Sequence, residues 1–488
     1  MKNRIISAVL LISALIGLVG CQGGSDKNGT SNSTSGASDT TAAPVDDSPK
    51  LELPADADFG GETFTIYMTT EASYEYAAEE QTGDVVNDAV YNRNQTVEEL
   101  LNVDFNFVDQ PGYWGDRATF NATITNSILA GDGAFDLISG VTVIVLPLAA
   151  EGYFLNAAEL NYIDFDKPWW VQGMMDDLAI DGKLCGFIGD ASLSLYKDLA
   201  VIFFNKQIAE DYNLPNPYDY VRQDNWNIET FGGMLKDISS DLNSDGKLSW
   251  GDDMLGFMTN AVPNRAFMTA TEMNIISYNN GTPEFGTLSE RSVDIFGRLY
   301  SLFMENENVI INPQDEYDVA TQHFTEDKAL FMDALLRCAD NMRNMKSDFG
   351  ILPYPKADEN QSNYHTQIGT STSMMFIPNT AKNPDMTAMV CEALSYYSML
   401  NVVPTYYEIA LKEKYTRDED VKEMLEIIRS SATMDFTFAY STMFEPFPNC
   451  LTEFRKGATN NIASTYDTNV TKWKATLEDI LEKYAALE

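Results

Sequence analysis

Apolar and polar positions along the chain recur at two periods. In residues 62–68 the apolar side chains Phe64, Ile66 and Met68 fall on every second position, the period of a strand with one face covered. Over residues 84–101 the spacing lengthens to three and four. Val86, Ala89, Val90, Val97, Leu100 and Leu101 make a helical stripe, and Asp84 stands where a capping carboxylate belongs. Residues 103–108 return to strand and 116–130 to helix, with Gly131 and Gly133 where a C-cap is needed. Residues 135–139 read as a third strand. This β-α-β-α-β order predicts a parallel sheet with helices on its faces. Residues 200–204 and 329–332 read as short buried strands. The late chain reads as helix over 418–430 and 470–487, where Trp473 falls on the apolar stripe as a core residue.

The first 50 residues follow neither period. Lys2 and Arg4 precede an apolar stretch, residues 5–20. The run is short of the ~20 residues a membrane-spanning helix needs and reads as the apolar region of a signal peptide, residues 1–20. It ends in Leu18-Val19-Gly20-Cys21, which resembles the lipobox of bacterial lipoproteins and makes Cys21 the expected lipidation site. Residues 21–50 follow as the lipidated Cys and a tether. About half of the tether residues are Gly, Ser or Thr, too polar to bury surface that would offset the cost of ordering. A coil of that length reaches ~30 Å. The expected place is the cell membrane, lipid-anchored on its extracytoplasmic face.

Charge narrows the partners. The chain carries 73 Asp and Glu against 32 Lys and Arg, a formal charge of −41. No basic stripe is available to neutralise phosphates, so nucleic acid is excluded as the expected partner. At 44% apolar residues the bulk of the chain can still bury a core. Cys185, Cys338, Cys391 and Cys450 are widely separated and read as small core residues, with two disulfides as the other arrangement an exported chain allows. Neither His323 nor His365 sits in a catalytic motif.

Three stretches resemble the extracellular solute-binding proteins of ABC importers, in particular the family that includes maltose-binding protein. One is Phe135-Asp136-Leu137-Ile138-Ser139 with the run at 148–160; another is AVIFFNKQIAEDYNLPNP at 200–217, followed by Trp226; the third is residues 324–342 leading to FGILPYPK at 349–356. Asp327 stands where that family more often has Gly. The resemblance implies an α/β, two-lobe periplasmic-binding-protein-like fold, with a ligand cleft between lobes joined by hinge strands. Lobe 1 would comprise 51–195 plus 365–405, and lobe 2 would comprise 196–364 plus 406–488. It further implies a monomer with no catalytic residues and no catalytic cofactor. Such a protein captures a small solute, here a mono- or oligosaccharide, and delivers it to an ABC permease.

Ligands of open α/β sheets bind beyond the carboxyl ends of strands. The loop after 62–68 offers Thr69, Thr70, Glu71, Tyr74 and Tyr76; the loop after 103–108 offers Gln110, Tyr113 and Trp114; Ser139 and Thr142 follow the third strand. Trp170, in a Pro-Trp-Trp step, Arg337 after strand 329–332, and Glu445 complete the expected contacts. Aromatic rings suit the C–H faces of sugars, while carboxylates and Arg bond hydroxyls. The rival readings are a surface glycoside-active enzyme and a rigid carbohydrate-binding adhesin. Counting carboxylates does not separate them in so acidic a chain.

One further motif lies outside that scheme. Asp241, Asn243, Asp245, Lys247, Ser249 and Asp252 occupy positions 1, 3, 5, 7, 9 and 12 of an EF-hand-type loop, with Gly246 at the sharp turn. Oxygen donors at this spacing suit a structural Ca2+, and Asp in place of Glu at position 12 resembles dockerin-type loops.

Overall fold

The computed structural model describes residues 49–259, 264–312, 317–412, 419–444 and 459–487. Cys21, Glu445 and Cys450 lie outside the described residues, as do the expected signal peptide and nearly all of the tether.

The sequence periods fold as read in the first third of the body. Strand β1 (Glu62–Thr69) pairs in parallel with β2 (Val103–Gln110) and β3 (Leu137–Val141). Helix α1 (Val85–Leu101) joins β1 to β2, and Asp84 caps it by accepting from the amides of Val86 and Asn87. Helix α2 (Arg117–Ala130) ends on Gly131 in the left-handed conformation. Tyr67 stacks between Phe120 and Phe135 at 4.7 and 4.6 Å, fixing α2 against the sheet.

A second sheet follows, built from β4 (Ala200–Asn205), β5 (Leu255–Thr259), β6 (Val309–Ile311), β7 (Ala329–Leu335) and β8 (Phe349–Leu352) in the order β8-β4-β7-β5-β6. The chain then returns to the first sheet with β9 (Ser373–Phe376), antiparallel to β3, giving the order β9-β3-β1-β2. The β-α-β-α-β order predicts a parallel sheet, and the three strands it covers are parallel. The antiparallel edge strand arrives from 230 residues downstream, where no local period could announce it. Asp327 has φ +58°, a backbone region that favours glycine, and its carboxylate accepts from the Asn205 amide at 2.7 Å.

Two segments run between the sheets side by side. Leu199 bridges Ile368, and the amide of Gly369 donates to the Asp198 carbonyl at 2.8 Å. Beside them Thr366–Gln367 pairs in parallel with Ala432–Thr433. After α3 (Pro384–Tyr397), helices α4 (Glu419–Ser430) and α5 (Ile462–Ala485) pack across both sheet regions. Arg429 of α4 pairs with Asp190 at 3.0 Å. In α5, Trp473 at mid-helix stacks on Phe285, while the Tyr484 carbonyl near the C-terminal end accepts from Lys183 at 2.9 Å. No described helix is long and apolar enough to cross a membrane. Cys185, Cys338 and Cys391 are buried in the core.

Candidate functional site

The site grows from the ends of strands that meet where the two sheets adjoin. After β1 the chain makes a tight 3-10 turn, Thr70–Glu75, that carries Glu71 and Tyr74. Glu71 ties this turn to the loop after β2: its carboxylate accepts from the amides of Gly112 at 3.1 Å and Tyr113 at 3.4 Å, and from the Thr69 hydroxyl. Burial opposes the charge on Glu71, but these hydrogen bonds outweigh it and hold the pKa low. A side chain at Gly112 would stand 2.8 Å from Thr69 Oγ1, so the close approach of the two loops requires glycine.

The facing wall comes from the second sheet. β4 and β7 are antiparallel, with Ala200 opposite Leu335. That register brings Asp198, just before β4, against Arg337, just after β7, and the two form an ion pair. Asp198 is 1% exposed, and burial pushes its carboxyl up to about 6 against the pull of Arg337 and Lys197. Its Oδ2 has no hydrogen-bond partner. Lys197 places its ammonium 3.7 Å from the centre of the Tyr74 ring, joining the two walls. The Tyr113 hydroxyl, raised to about 12 by burial, also feels Asp198 and Arg337 and reaches Ser371 on the crossing segment. The buried Tyr406 hydroxyl has no partner and feels Asp340, Tyr407 and Asp198. A cation, an ion pair whose carboxylate keeps one oxygen without a hydrogen-bond partner, and three phenols therefore converge between the sheets.

A second concavity, about 560 Å³, lies beside the Thr366–Gln367 crossing segment, lined by Asp177, Glu272, Tyr278, His365 and Asp435. Its polar groups satisfy one another. Thr433 donates to Asp177, His365 lies 3.1 Å from Glu272, Tyr278 donates to the Asp177 carbonyl, and Asp435 caps Thr437 and Phe438. Of the buried side-chain atoms without a partner among the described residues, Asp198 Oδ2 and the Tyr406 hydroxyl lie in the first cleft and none lines the second, which makes the first the stronger site.

Of the residues expected from sequence, Tyr74 and Arg337 reach the cleft. Trp114 follows Tyr113 in its loop and is 50% exposed, with the Arg117 guanidinium 5.4 Å from its ring. Ser139 does not reach the cleft. β3 extends two residues beyond the expected end, so Ser139 lies mid-strand, fully buried. Thr142 is buried as well, donating to the Thr372 carbonyl at 2.9 Å. Trp170 is also a core residue. It is 4% exposed, its indole donates to Glu392 at 3.0 Å, and its ring packs on Phe165 and Phe187. Lys197, Asp198 and Tyr406 were not anticipated. Lys197 and Asp198 precede a strand, and the rule that ligands sit past carboxyl ends passes over them because β4 runs against β7.

The loop at 241–252 adopts the turn its spacing suggests. Asp241 accepts from the amides of Ser244 at 2.6 Å and Gly246 at 2.8 Å, Asn243 from Asp245, and Asp245 from Lys247. Gly246 has φ +82°. The buried carboxylate that closes the loop is Asp253, which accepts from Leu242 and Ser249, while Asp252 is exposed. Among the described residues no group of three or more His, Cys, Asp or Glu is gathered as a metal site. Any ion here would draw on Asn243, Ser249 and the Lys247 carbonyl as well as carboxylates.

No protein-family model and no curated protein sequence matches the chain. Solved structures do. The GacH receptor of Streptomyces glaucescens, solved unliganded and with acarbose, is 14% identical with a TM-score of 0.54, over 86% of this chain and 99% of that one. UspC of M. tuberculosis is 13% identical with a TM-score of 0.55, over 85% and 100%. An ABC transporter solute-binding protein from Thermotoga lettingae, bound with α-D-tagatose, is 11% identical with a TM-score of 0.51, over 86% and 100%. With two sheets joined by crossing segments and near-complete coverage of these structures, the chain has the two-lobe α/β fold of ABC-transporter solute-binding proteins.

Proposed function

We propose that the chain is the lipid-anchored, extracytoplasmic solute-binding component of an ABC importer, and that it captures a mono- or oligosaccharide between its lobes without altering it chemically. The observation that carries this reading is the convergence of Lys197, Asp198, Arg337, Tyr74, Tyr113 and Tyr406 from both sheets. Several of these groups lack partners that a polyhydroxyl ligand would supply. The shared fold with structures solved with acarbose and tagatose supports the same choice of solute. We assign lobe 1 to 51–195 plus 365–405 and lobe 2 to 196–364 plus 406–488, with α4 and α5 packed across their boundary. Lobe closure around the ligand excludes water and presents a distinct surface to a permease. Cys21 carries the lipid, and the following tether keeps the body within reach of that permease. A Ca2+ ion in the loop at 241–252 staples lobe 2 and takes no part in capture.

A thermal-shift screen of mono- and oligosaccharides on the purified protein, followed by calorimetry on Asp198→Asn and Arg337→Ala, tests the reading. A useful transport binder has a Kd near 1 μM, or ~8 kcal/mol. Each variant is expected to lose about 1.5–3 kcal/mol, the worth of a hydrogen bond to a charged group. A saccharide that binds with affinity unchanged in both variants places the site elsewhere. A saccharide that is cleaved on incubation makes the protein an enzyme.

A further inference from the structure

The cleft is distinguished by a charge it leaves unpaired. Other cations that pack inward have acceptors: Arg337 has Asp198, Arg429 has Asp190, Lys356 has Asp224, and the buried Arg93 donates to Asn94, Ser398 and the Glu75 carbonyl. Lys197 is different. It is half-buried against the Tyr74 ring, and among the described residues its ammonium has no hydrogen-bond acceptor and no ion-pair partner. Burial pulls its pKa below the ordinary value, while Asp340, Glu75 and Asp198 act from a distance to hold the charge. None of those carboxylates hydrogen-bonds the Lys197 ammonium. Glu75 is fully buried and accepts from the Ser194 amide at 2.6 Å and from the Ser373 hydroxyl, Asp198 holds Arg337, and Asp340 holds Arg343.

Apart from the unpartnered Asp198 Oδ2, the remaining polar groups around Lys197 are donors. The Tyr74, Tyr113 and Tyr406 phenols are all held protonated by burial, and the Arg337 guanidinium is 39% exposed on the same wall. A neutral sugar entering such a site would desolvate the ammonium without supplying a counter-charge, and an unpaired charge out of water is costly. A ligand oxygen that carries charge removes that cost and makes the stronger, charge-assisted hydrogen bonds.

We propose that the solute is a saccharide bearing an anionic substituent, a uronate carboxylate or an ester sulfate, whose charge is seated on Lys197 with Arg337 beside it. The proposal rests on the solute-binding reading above and narrows its ligand class.

The test is calorimetry of the purified protein against matched uronate, sulfated and neutral oligosaccharides on gluco-, galacto- and manno-configured backbones. At low salt an anionic member is expected to bind at least about tenfold tighter than its neutral counterpart, the worth of one charge-assisted hydrogen bond. That ratio should shrink as ionic strength rises. Lys197→Gln should bring the ratio close to one, and Lys197→Arg should keep most of it, with circular dichroism reporting the fold of each variant. A preference for uronate over sulfate, or the reverse, names the substituent. Neutral saccharides that bind as tightly as anionic ones, or a ratio that survives Lys197→Gln, overturn the proposal and leave the solute-binding reading standing. Absence of binding to every saccharide overturns both.

Discussion

Arg429→Met isolates the electrostatics of the junction between the sheets. Asp190 is 2% exposed, and Arg429 Nη2 lies 3.0 and 3.2 Å from its two carboxylate oxygens. Tyr196 donates to the same carboxylate and accepts from Arg429 Nε at 3.2 Å. Burial raises the Asp190 carboxyl to about 6, and Arg429 is the charge that opposes the rise. Methionine keeps much of the arginine stem and removes the cation. A buried carboxylate stripped of its partner costs about 3–5 kcal/mol. The sign of the pH dependence follows from linkage. A carboxyl whose folded pKa exceeds its unfolded value binds protons on folding, so the folded state loses stability as pH climbs between the two values, with the full penalty above both. In the wild type that window runs from about 4 to about 6. In the variant its upper edge moves higher, each unit adding about 1.4 kcal/mol. At pH 8 at most the two units above the wild-type value count, so the difference between the proteins should approach about 2.8 kcal/mol there and shrink markedly at pH 5, where Asp190 is mostly neutral in both. Urea denaturation of both proteins at the two pH values measures it. An equal loss at both, or a loss under about 1 kcal/mol at pH 8, refutes the view that Arg429 holds Asp190 as a buried carboxylate.

Trp170→Ala should destabilise the protein by about 3–5 kcal/mol in urea, since a buried indole and its bond to Glu392 are lost, with saccharide affinity unchanged; weakened affinity at intact stability would return Trp170 to the cleft. Chelation by EDTA should lower the melting temperature, with ~2.7 kcal/mol at stake when Ca2+ is present at 100 times its Kd, and Asp245→Ala should abolish the response. A wild-type protein indifferent to both Ca2+ and EDTA disposes of the calcium loop. Cys21→Ser should move the protein from the membrane fraction to the soluble fraction, and mass spectrometry of the native protein should find an acyl group on Cys21; an unmodified Cys21 contradicts the anchor.

What the sequence made legible was local. α1, with Asp84 as its cap, and the left-handed Gly131 closing α2 were readable because each depends on residues within a few positions. Tyr74 was legible because the turn that carries it directly follows a strand of clear period. The Asp198–Arg337 pair was not, because 139 residues separate its partners and only the register of β4 on β7 brings them together. Ser139 was misplaced for the converse reason. Gly140 and Val141 carry no period-2 signal, so the sequence pattern ends the strand at Ser139, whereas the strand runs on to Val141 and buries Ser139. Trp170 illustrates a limit of local pattern: the second indole of Pro168-Trp169-Trp170 reads as cleft-facing until Phe165, Phe187 and Glu392 are seen to enclose it.

The central claim is capture by closure. Solution X-ray scattering of the purified protein, with and without its tightest saccharide, tests it most directly when the ligand is recovered afterwards and analysed. The account predicts a fall in radius of gyration on saturation, with the ligand returned chemically unchanged. A ligand that binds tightly with no compaction, or one that is returned cleaved, would contradict it.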